Sequence, residues 1–152
     1  MLSDLLGDSG RDGVGTLMVV MLDATVDLVF PIMDAYGDAL EGLRLLVQGG
    51  PTTQHLKISN KLKFQVTQLR RYIWDARGLF MELSQDMCGC LGDLTRTRML
   101  NLLESTAQLE KEAGANIEQC HMVESFFSAW QESKMNGATP ESAPPSAWNS
   151  TQ

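Results

Sequence analysis

The chain has 152 residues, 43% of them hydrophobic and 20% charged, and its 19 acidic and 12 basic side chains give a net charge of −7. This length and composition suit one domain with a hydrophobic core. The negative charge disfavours nucleic acid and anionic membrane surfaces as partners, because a polyanion is repelled by the chain as a whole. A basic protein or a cation suits it better.

The cysteines give no disulfide framework. The chain has an odd number of cysteines: Cys88, Cys90 and Cys120. An odd count without framework spacing indicates a reducing compartment and a cytoplasmic location. The Cys88-Gly-Cys90 segment lacks a second pair at zinc-site spacing, so we interpret these residues as small apolar positions on a helix face.

No segment is predicted to cross a bilayer. The longest uncharged apolar runs, residues 17–22 and 28–33, reach about a third of the roughly 20 residues that a spanning helix needs. The first fifteen residues carry no basic n-region and are not predicted to be a signal peptide.

Residues 1–15 are rich in Gly and Asp and are predicted to form a flexible lead-in to a three-helix domain over residues 16–136. A long helical pattern follows, with apolar residues at steps of three and four that fall on one face. These positions are Leu17, Met21, Ala24, Leu28, Ile32, Ala35, Ala39, Leu43 and Leu46.

A strip of acidic residues occupies a different face of this first helix, within about 60° of arc. It consists of Asp23, Asp27, Asp34, Asp38 and Glu41. Pro31 lies inside the helix and is predicted to bend it, because proline lacks the backbone donor. The sequence QGGP at 48–51 predicts the helix end, with a glycine cap and a following proline.

The second helix begins at Thr52 or Thr53, either of which can cap it. Its apolar steps alternate between four and three, which is typical of a coiled-coil seam over about four heptads. The seam is Leu62, Val66, Leu69, Ile73, Ala76, Phe80, Leu83 and Met87. Six basic residues against three acidic ones make this helix basic, and CGCLG at 88–92 ends or bends it.

A third, acidic helix is predicted from Asp93 to about Met135, a length of roughly 60 Å. Its apolar stripe is Leu102, Leu109, Ala113, Ile117, Cys120, Val123, Phe127 and Trp130. Residues 137–152 are rich in Pro, Ser and Thr and are predicted to be a disordered tail. The fold class is therefore all-α, with three long, antiparallel, coiled-coil-like helices. Charge complementarity favours the basic helix lying between its acidic neighbours, although burial of the seams should provide most of the stability.

Three segments, in this order, resemble the cytoplasmic stalk of CorA-like magnesium and cobalt transporters. The sequence LDATVDLVFP at 22–31 is similar to a family pattern in which an aromatic residue precedes a proline inside a helix, here Pro31. The sequence LRRYIWDAR at 69–77 matches its Leu-Arg-Arg, Trp and Arg spacing at Arg70, Trp74 and Arg77. The sequence QESKMN at 131–136 is similar to the residues before the pore helix and ends in Met135 and Asn136.

The chain also departs from the family. Gly-Met-Asn, the family's signature after its pore helix, is absent from the sequence, and so is the large N-terminal α/β part. Asn101 stands where the family has its first ion-sensing acid, and Glu104 stands at the second. A neutral amide offers a divalent cation an oxygen but no charge, so sensing at this point is in doubt. The resemblance therefore implies a stalk without a pore.

The sequence contains no serine elbow, phosphate loop or paired-acid constellation, and we predict that the chain is not an enzyme. No cofactor is certain. The acidic strip and Glu104 are candidates for loose Mg²⁺ binding, but we prefer to interpret the strip as a solvated face or one that faces the basic helix. The aromatic residues Phe126, Phe127 and Trp130 are predicted to pack within the stalk, with an exposed adhesive patch as the alternative.

The resemblance implies a truncated soluble stalk of a divalent-cation transport protein, unable to conduct ions alone. Its expected partners are further copies of itself or a full-length CorA-like transporter, on the cytoplasmic or matrix side of a membrane. The alternative is a stand-alone helical scaffold unrelated to ion transport.

Overall fold

The computed structural model describes residues 2–85 and 92–137, and it describes side chains for 13–85 and 92–137. Four helices occupy these residues: α1 (Leu2–Asp27), α2 (Val29–Gln48), α3 (Thr53–Ser84) and α4 (Asp93–Met135). Helices α1 and α2 meet at Leu28 and form what we call the first rod. The described residues contain no strand, so the all-α prediction with three long rods is confirmed. Of the predicted disordered tail, residues 137–152, only Gly137 lies within these ranges.

Contacts between the rods fix their directions. The Ser59 hydroxyl donates to the Cys120 carbonyl at 3.4 Å, while farther along α3 the Arg77 guanidinium lies 3.3 Å from the Glu110 carboxylate. Positions in α4 therefore fall as those in α3 rise, and the two helices are antiparallel. The first rod runs parallel to α4, because Met33 lies beside Asn116 and Val47 clusters with Val123. The architecture is up-down-up.

The bend in the first rod follows from Pro31, as the sequence predicts. Proline has no N–H to donate to the carbonyl four residues earlier, that of Asp27, and its ring crowds that carbonyl. Regular helix stops at Asp27 and resumes at Val29, although the Leu28 N–H still donates to the Ala24 carbonyl at 3.3 Å. The rod is bent but not ended.

The N-terminal segment differs from the prediction of a flexible lead-in. Helix α1 begins at Leu2, so the backbone of residues 2–15 is helical. Glycine and aspartate weaken a helix, but extending an existing helix adds a hydrogen bond for each residue without a new nucleation step. The packed part of α1 supplies that existing helix.

The core is a set of heptad seams. The first rod buries a series of residues seven apart and, in addition, Leu43. Helix α3 buries a series seven apart, whereas α4 buries residues at alternating steps of four and three. The first-rod series is Val19, Val26, Met33, Leu40 and Val47, and the α3 series is Ser59, Val66, Ile73 and Phe80. The α4 series is Thr95, Met99, Leu102, Thr106, Leu109, Ala113, Asn116, Cys120, Val123 and Phe127.

This pattern makes α4 the central rod. It contacts α3 most extensively and also packs against both α1 and α2, whereas α3 meets the first rod only along α2. The expectation that the basic middle helix lies between two acidic ones is therefore wrong. Burial of the doubled α4 seam outweighs charge, because exposed ion pairs contribute only about 0–1 kcal/mol each.

The apolar stripes of α3 and α4 are confirmed where side chains are described, with Leu83 exposed at the end of the first stripe and Trp130 half-buried at the end of the second. Met87 lies outside the described residues. The stripe predicted for the first rod is wrong. Of its nine residues only Leu43 is buried, while Leu17, Met21 and Leu28 are more than 60% exposed. The buried series lies roughly 135° around the helix from the predicted one.

The turn between the first rod and α3 is built as predicted. Gly50 has φ of 128°, a conformation that favours glycine because it lacks a Cβ. Thr52 then caps α3: its hydroxyl accepts from the His55 N–H, and the His55 ring nitrogen accepts from the Thr52 N–H, both at 3.3 Å. This reciprocal pair is a capping box in which His replaces the usual Glu.

Candidate functional site

The acidic strip lies along the solvent-exposed side of the first rod. Asp23, Asp27, Asp34, Asp38 and Glu41 are all exposed. Glu41 alone has an ion-pair partner among the described residues, and that partner is Arg44 of the same helix, at 2.6 Å. The hydrogen bond from Arg44 holds the pKa of the Glu41 carboxyl below its usual value, and the same bond raises the pKa of Arg44.

These carboxylates form a row and do not converge. Within residues 13–85 and 92–137, no group of three His, Cys, Asp or Glu side chains could hold a metal ion. Asp34 and Asp38 line a groove between α2 and α4 together with Glu112, and Asn116 lies beside them. Glu104 is exposed on α4 and is not part of this groove. Along the described part of the rod, the strip is therefore a row of exposed negative charges.

The LRRYIWDAR segment lies at the contact between α3 and α4. Arg70 and Arg77 approach the two carboxylate oxygens of Glu110 at 3.8 and 3.3 Å, so one acid in α4 lies between two bases seven residues apart in α3. Trp74 is 63% exposed and lines a shallow groove with both Arg70 and Arg71. Glu110 was not predicted from the sequence, although an acid opposite two bases spaced by one heptad is the available signal.

The other motif positions lie at the bend and at the far end of the bundle. Pro31 is exposed at the bend of the first rod. Met135 is 80% exposed in the last turn of α4, and Asn136 caps that helix. Within the described residues, no hydrogen bond or ion pair joins these residues to the Arg70–Arg77 segment.

A second polar cluster joins α3 and α4 and was missed from sequence. The Lys63 ammonium donates to both carboxylate oxygens of Glu124, at 2.9 and 3.0 Å, and His121 lies 3.3 Å from the same carboxylate. The side chains are partly exposed. The cluster lies along the antiparallel contact between the two helices, and the His121 side chain is 50% exposed.

Two buried hydrogen bonds also connect the rods. The Asn116 amide donates to the Met33 carbonyl at 3.3 Å and ties α4 to α2. Ser59 connects α3 to the backbone of α4 at Cys120. Burial raises the pKa of the Cys120 thiol, which is fully enclosed and unsuited to nucleophilic chemistry. Cys88 and Cys90 lie outside the described residues.

The aromatic residues near the end of α4 are packed and do not form an open patch. Phe127 is only 7% exposed, and Phe126 packs against the small cluster of Leu43, Val47 and Val123. Trp130 is half-buried and lies under the Lys134 ammonium, 4.1 Å from the ring centroid. The interpretation as stalk packing is therefore the correct one of the two.

The first rod is more apolar than its separate runs suggested. Gly13–Gln48 forms a continuous 36-residue stretch that is long and apolar enough to cross a membrane, and only 17% of its most apolar window is buried within the chain. Length and composition do not place it in a membrane, since core helices and signal sequences pass the same test. The expectation that no segment spans a bilayer was based only on uninterrupted apolar runs, which do not reveal the high average hydropathy of this whole stretch.

The exposed apolar face of this rod consists of residues that were predicted to be buried. We call it the open stripe and define it by five residues that lie on one side of the helix and are 48–67% exposed. These residues are Leu17, Met21, Leu28, Ile32 and Leu46. Nothing else in the described chain covers the open stripe.

No protein-family model matches the chain, and no curated protein matches it. The resemblance to CorA-like transporters therefore depends on the three sequence segments alone.

Proposed function

We propose that the chain is a non-catalytic helical stalk that acts by binding other proteins and forms no pore by itself. Its proposed relatives are the intracellular stalks of CorA-like divalent-cation transporters, and its proposed partners are an intact transporter of that kind and further copies of itself. The proposed location is the cytoplasm, or the cytoplasmic or matrix face of a membrane when the chain is bound to a transporter.

The observation that carries this proposal is the open stripe on the first rod. A long exposed apolar face suits a protein partner, because burying apolar surface drives association. The acidic strip on another face of the same rod favours a basic partner. The rod order and the placement of Arg70 and Arg77 at the main helix contact agree with a stalk. Loose Mg²⁺ along the acidic strip is part of this proposal only as hydrated, non-specific binding.

A retention experiment tests the transporter part. A full-length CorA-like transporter in detergent is immobilised, and an unrelated membrane protein serves as the control surface. We expect the chain to be retained on the transporter and not on the control. Equal retention on both surfaces, or none, would contradict a transporter partner.

The second candidate is a stand-alone helical scaffold unrelated to ion transport. This candidate is consistent with the finding that no family model matches the chain. An open apolar face also suits a scaffold that binds other proteins. The coding sequence beyond codon 136 discriminates the two. An apolar segment containing Gly-Met-Asn in any frame supports the stalk, and its absence supports the scaffold.

A further inference from the structure

The open stripe lies on a different side of the first rod from the packed seam. The two faces are roughly 135° apart around the helix, and the five stripe residues are 48–67% exposed. Contiguous apolar surface that extends about 43 Å along one helix is unusual for a monomer and indicates an interaction site. A partner for this face must therefore supply a long apolar surface of its own.

Small residues complete this face and give it a symmetrical spacing. They are exposed and share one arc of about 80° with the open stripe. These small residues are Ala24, Ala35, Ala39 and Gly42. From Leu17 to Leu28 the positions of the face follow at steps of four, three and four, and from Ala35 to Leu46 the same steps recur. The series therefore reads the same in both directions, with its midpoint between residues 31 and 32.

A series with this symmetry is complementary to itself when two copies run antiparallel. A twofold axis between residues 31 and 32 brings each position of one copy opposite a position of the same face in its partner. The opposed pairs are Leu17 with Leu46, Met21 with Gly42, Ala24 with Ala39, and Leu28 with Ala35. Helix α1 of each copy then lies against α2 of the other.

The opposed side chains also complement one another in size. The large residues Met21 and Leu28 face the small residues Gly42 and Ala35 in this arrangement. A Cβ added at Gly42 would meet nothing within 4 Å of its own chain, so the surface at this residue is open to a partner. Small residues let two helices approach closely, and the large side chains opposite them fill the remaining space.

The open stripe offers enough surface for a stable pair of copies. Each of its five side chains exposes about half of its surface or more, which corresponds to about 100 Å² each. With the small residues between them, one copy presents roughly 600–800 Å², so a pair that covers both stripes buries roughly 1,200–1,600 Å². This area reaches the range of about 1,200–2,000 Å² that stable interfaces bury.

The acidic strip lies beside this contact and not within it. It is centred about 125° around the helix from the open stripe, and in the antiparallel pair both strips lie on the same side of the dimer. Asp23, Asp27, Asp34 and Asp38 have no ion-pair partner among the described residues, so the two strips repel each other. Burial of apolar surface therefore drives the association, and salt is expected to strengthen it by screening the strips.

We propose that a second copy of this chain covers the open stripe with its own open stripe, in an antiparallel dimer with twofold symmetry. The contact is isologous, so it closes at two copies and leaves neither stripe free. The inference deepens the self-association part of the proposed function and rests on it, but it needs no transporter.

Cross-linking with a short bis-maleimide tests the geometry, in a chain that carries Cys88→Ser and Cys90→Ser. Ile32→Cys lies at the twofold axis, and we expect it to cross-link to the same residue of the partner. Leu17→Cys and Leu46→Cys should each fail to cross-link alone, because the two copies of either residue are roughly 43 Å apart in the antiparallel pair. A mixture of these two variants is expected to give cross-linked dimers.

Sedimentation velocity over a range of concentrations tests the residues that hold the dimer together. Leu28→Gln removes an apolar side chain that the twofold axis uses twice, and we expect the dissociation constant to rise by about tenfold to hundredfold. Leu100→Gln, at an exposed position of α4, is the matched control and should associate like the wild type. Circular dichroism checks that both variants keep their helices.

A wild-type chain that stays monomeric at every concentration would overturn the inference together with the self-association part of the proposed function. Association that Leu28→Gln leaves unchanged, that salt weakens, or that cross-links Leu17→Cys to itself would overturn the inference alone, because the copies would then meet in another way. Monomeric chain that floats with neutral phosphatidylcholine vesicles, with flotation lost in Leu28→Gln, would assign the open stripe to lipid and overturn it as well. The retention experiment decides the transporter part separately.

Discussion

The pair formed by α3 and α4 and the first rod bury their side chains in different ways. In α4 the alternating seam reaches full burial at Met99, Leu102 and Leu109, and polar contacts such as that of Lys63 with Glu124 border it. The first rod buries a series of residues seven apart, together with Leu43, and leaves a second apolar face in solvent. Apolar periodicity alone therefore does not tell which face of a helix packs within its own chain.

The difference has a physical cause in the composition of the helices. The outer side of α3 mixes bases with exposed apolar side chains such as Phe64 and Leu79, and its seven-residue series is the one that packs in the core. The first rod carries acids on one narrow strip and apolar residues on either side of it, so two faces compete. The face with heptad spacing packs against α4, because a seven-residue repeat keeps contact along a long neighbouring helix.

The largest expected effect comes from truncating a leucine in each region. Leu109→Ala removes a fully buried side chain from α4 and is expected to lower the free energy of unfolding by about 2–5 kcal/mol, through lost burial and a cavity. Leu46→Ala, in the open stripe, is the matched control and should change it by less than about 0.5 kcal/mol. Urea unfolding measures both. Similar losses of unfolding free energy for the two variants would contradict the difference in burial between the two regions.

The link between the regions is the buried amide of Asn116. Asn116→Ala leaves the Met33 carbonyl without its side-chain donor, and we expect a loss of about 1–3 kcal/mol together with faster hydrogen exchange in α2. Asn101→Ala, at an exposed position of the same helix, is the control and should have little effect. Slow exchange in α2 after Asn116→Ala would mean that apolar contacts alone hold the first rod.

A smaller effect is expected for the ion pairs that border the packed pair. A double-mutant cycle on Arg77→Ala and Glu110→Gln should give a coupling energy at or below about 1 kcal/mol, because both side chains are partly exposed and screened. The cycle is measured at low and at high salt, and the coupling should shrink at high salt. A coupling of several kcal/mol that is insensitive to salt would show that charge, and not the seam, holds α3 to α4.

The smallest effect concerns Glu41 on the exposed rod. Its folded-state pKa is lowered by Arg44, so its contribution to stability is present above the unfolded pKa and is lost as pH falls through the folded value. Carboxyl chemical shifts in an NMR titration should show Glu41 titrating below 4.5, and Arg44→Gln should return it toward that value. An unchanged titration in the variant would contradict the assignment to Arg44.

Much of the architecture could be predicted from sequence. The heptad seam of α3, the glycine–proline turn before Thr52 and the bend at Pro31 follow from local chemistry. The central position of α4 did not, since its seam includes Thr95, Thr106 and Asn116, which an apolar count omits. The heptad Val19, Val26, Met33, Leu40, Val47 is visible in the sequence, but the leucine-rich opposite face concealed it.

The candidate site was less predictable. The acidic strip could be located, but its lack of convergence depends on how the carboxylates follow one another along the rod and on which neighbour faces them. Partners such as Glu110 and Glu124 depend on the antiparallel register of α3 and α4. That register is set by packing along the whole length of the helices, which no short motif contains.

The two-faced first rod is the central claim, and thiol labelling at low protein concentration tests it most directly. Single cysteines replace residues along the rod in a chain carrying Cys88→Ser and Cys90→Ser, with buried Cys120 as the protected internal reference. We predict slow labelling for Val26→Cys and Met33→Cys and fast labelling for Leu28→Cys and Ile32→Cys. The opposite result, with slow labelling for Leu28→Cys and Ile32→Cys and fast labelling for Val26→Cys and Met33→Cys, would contradict the account.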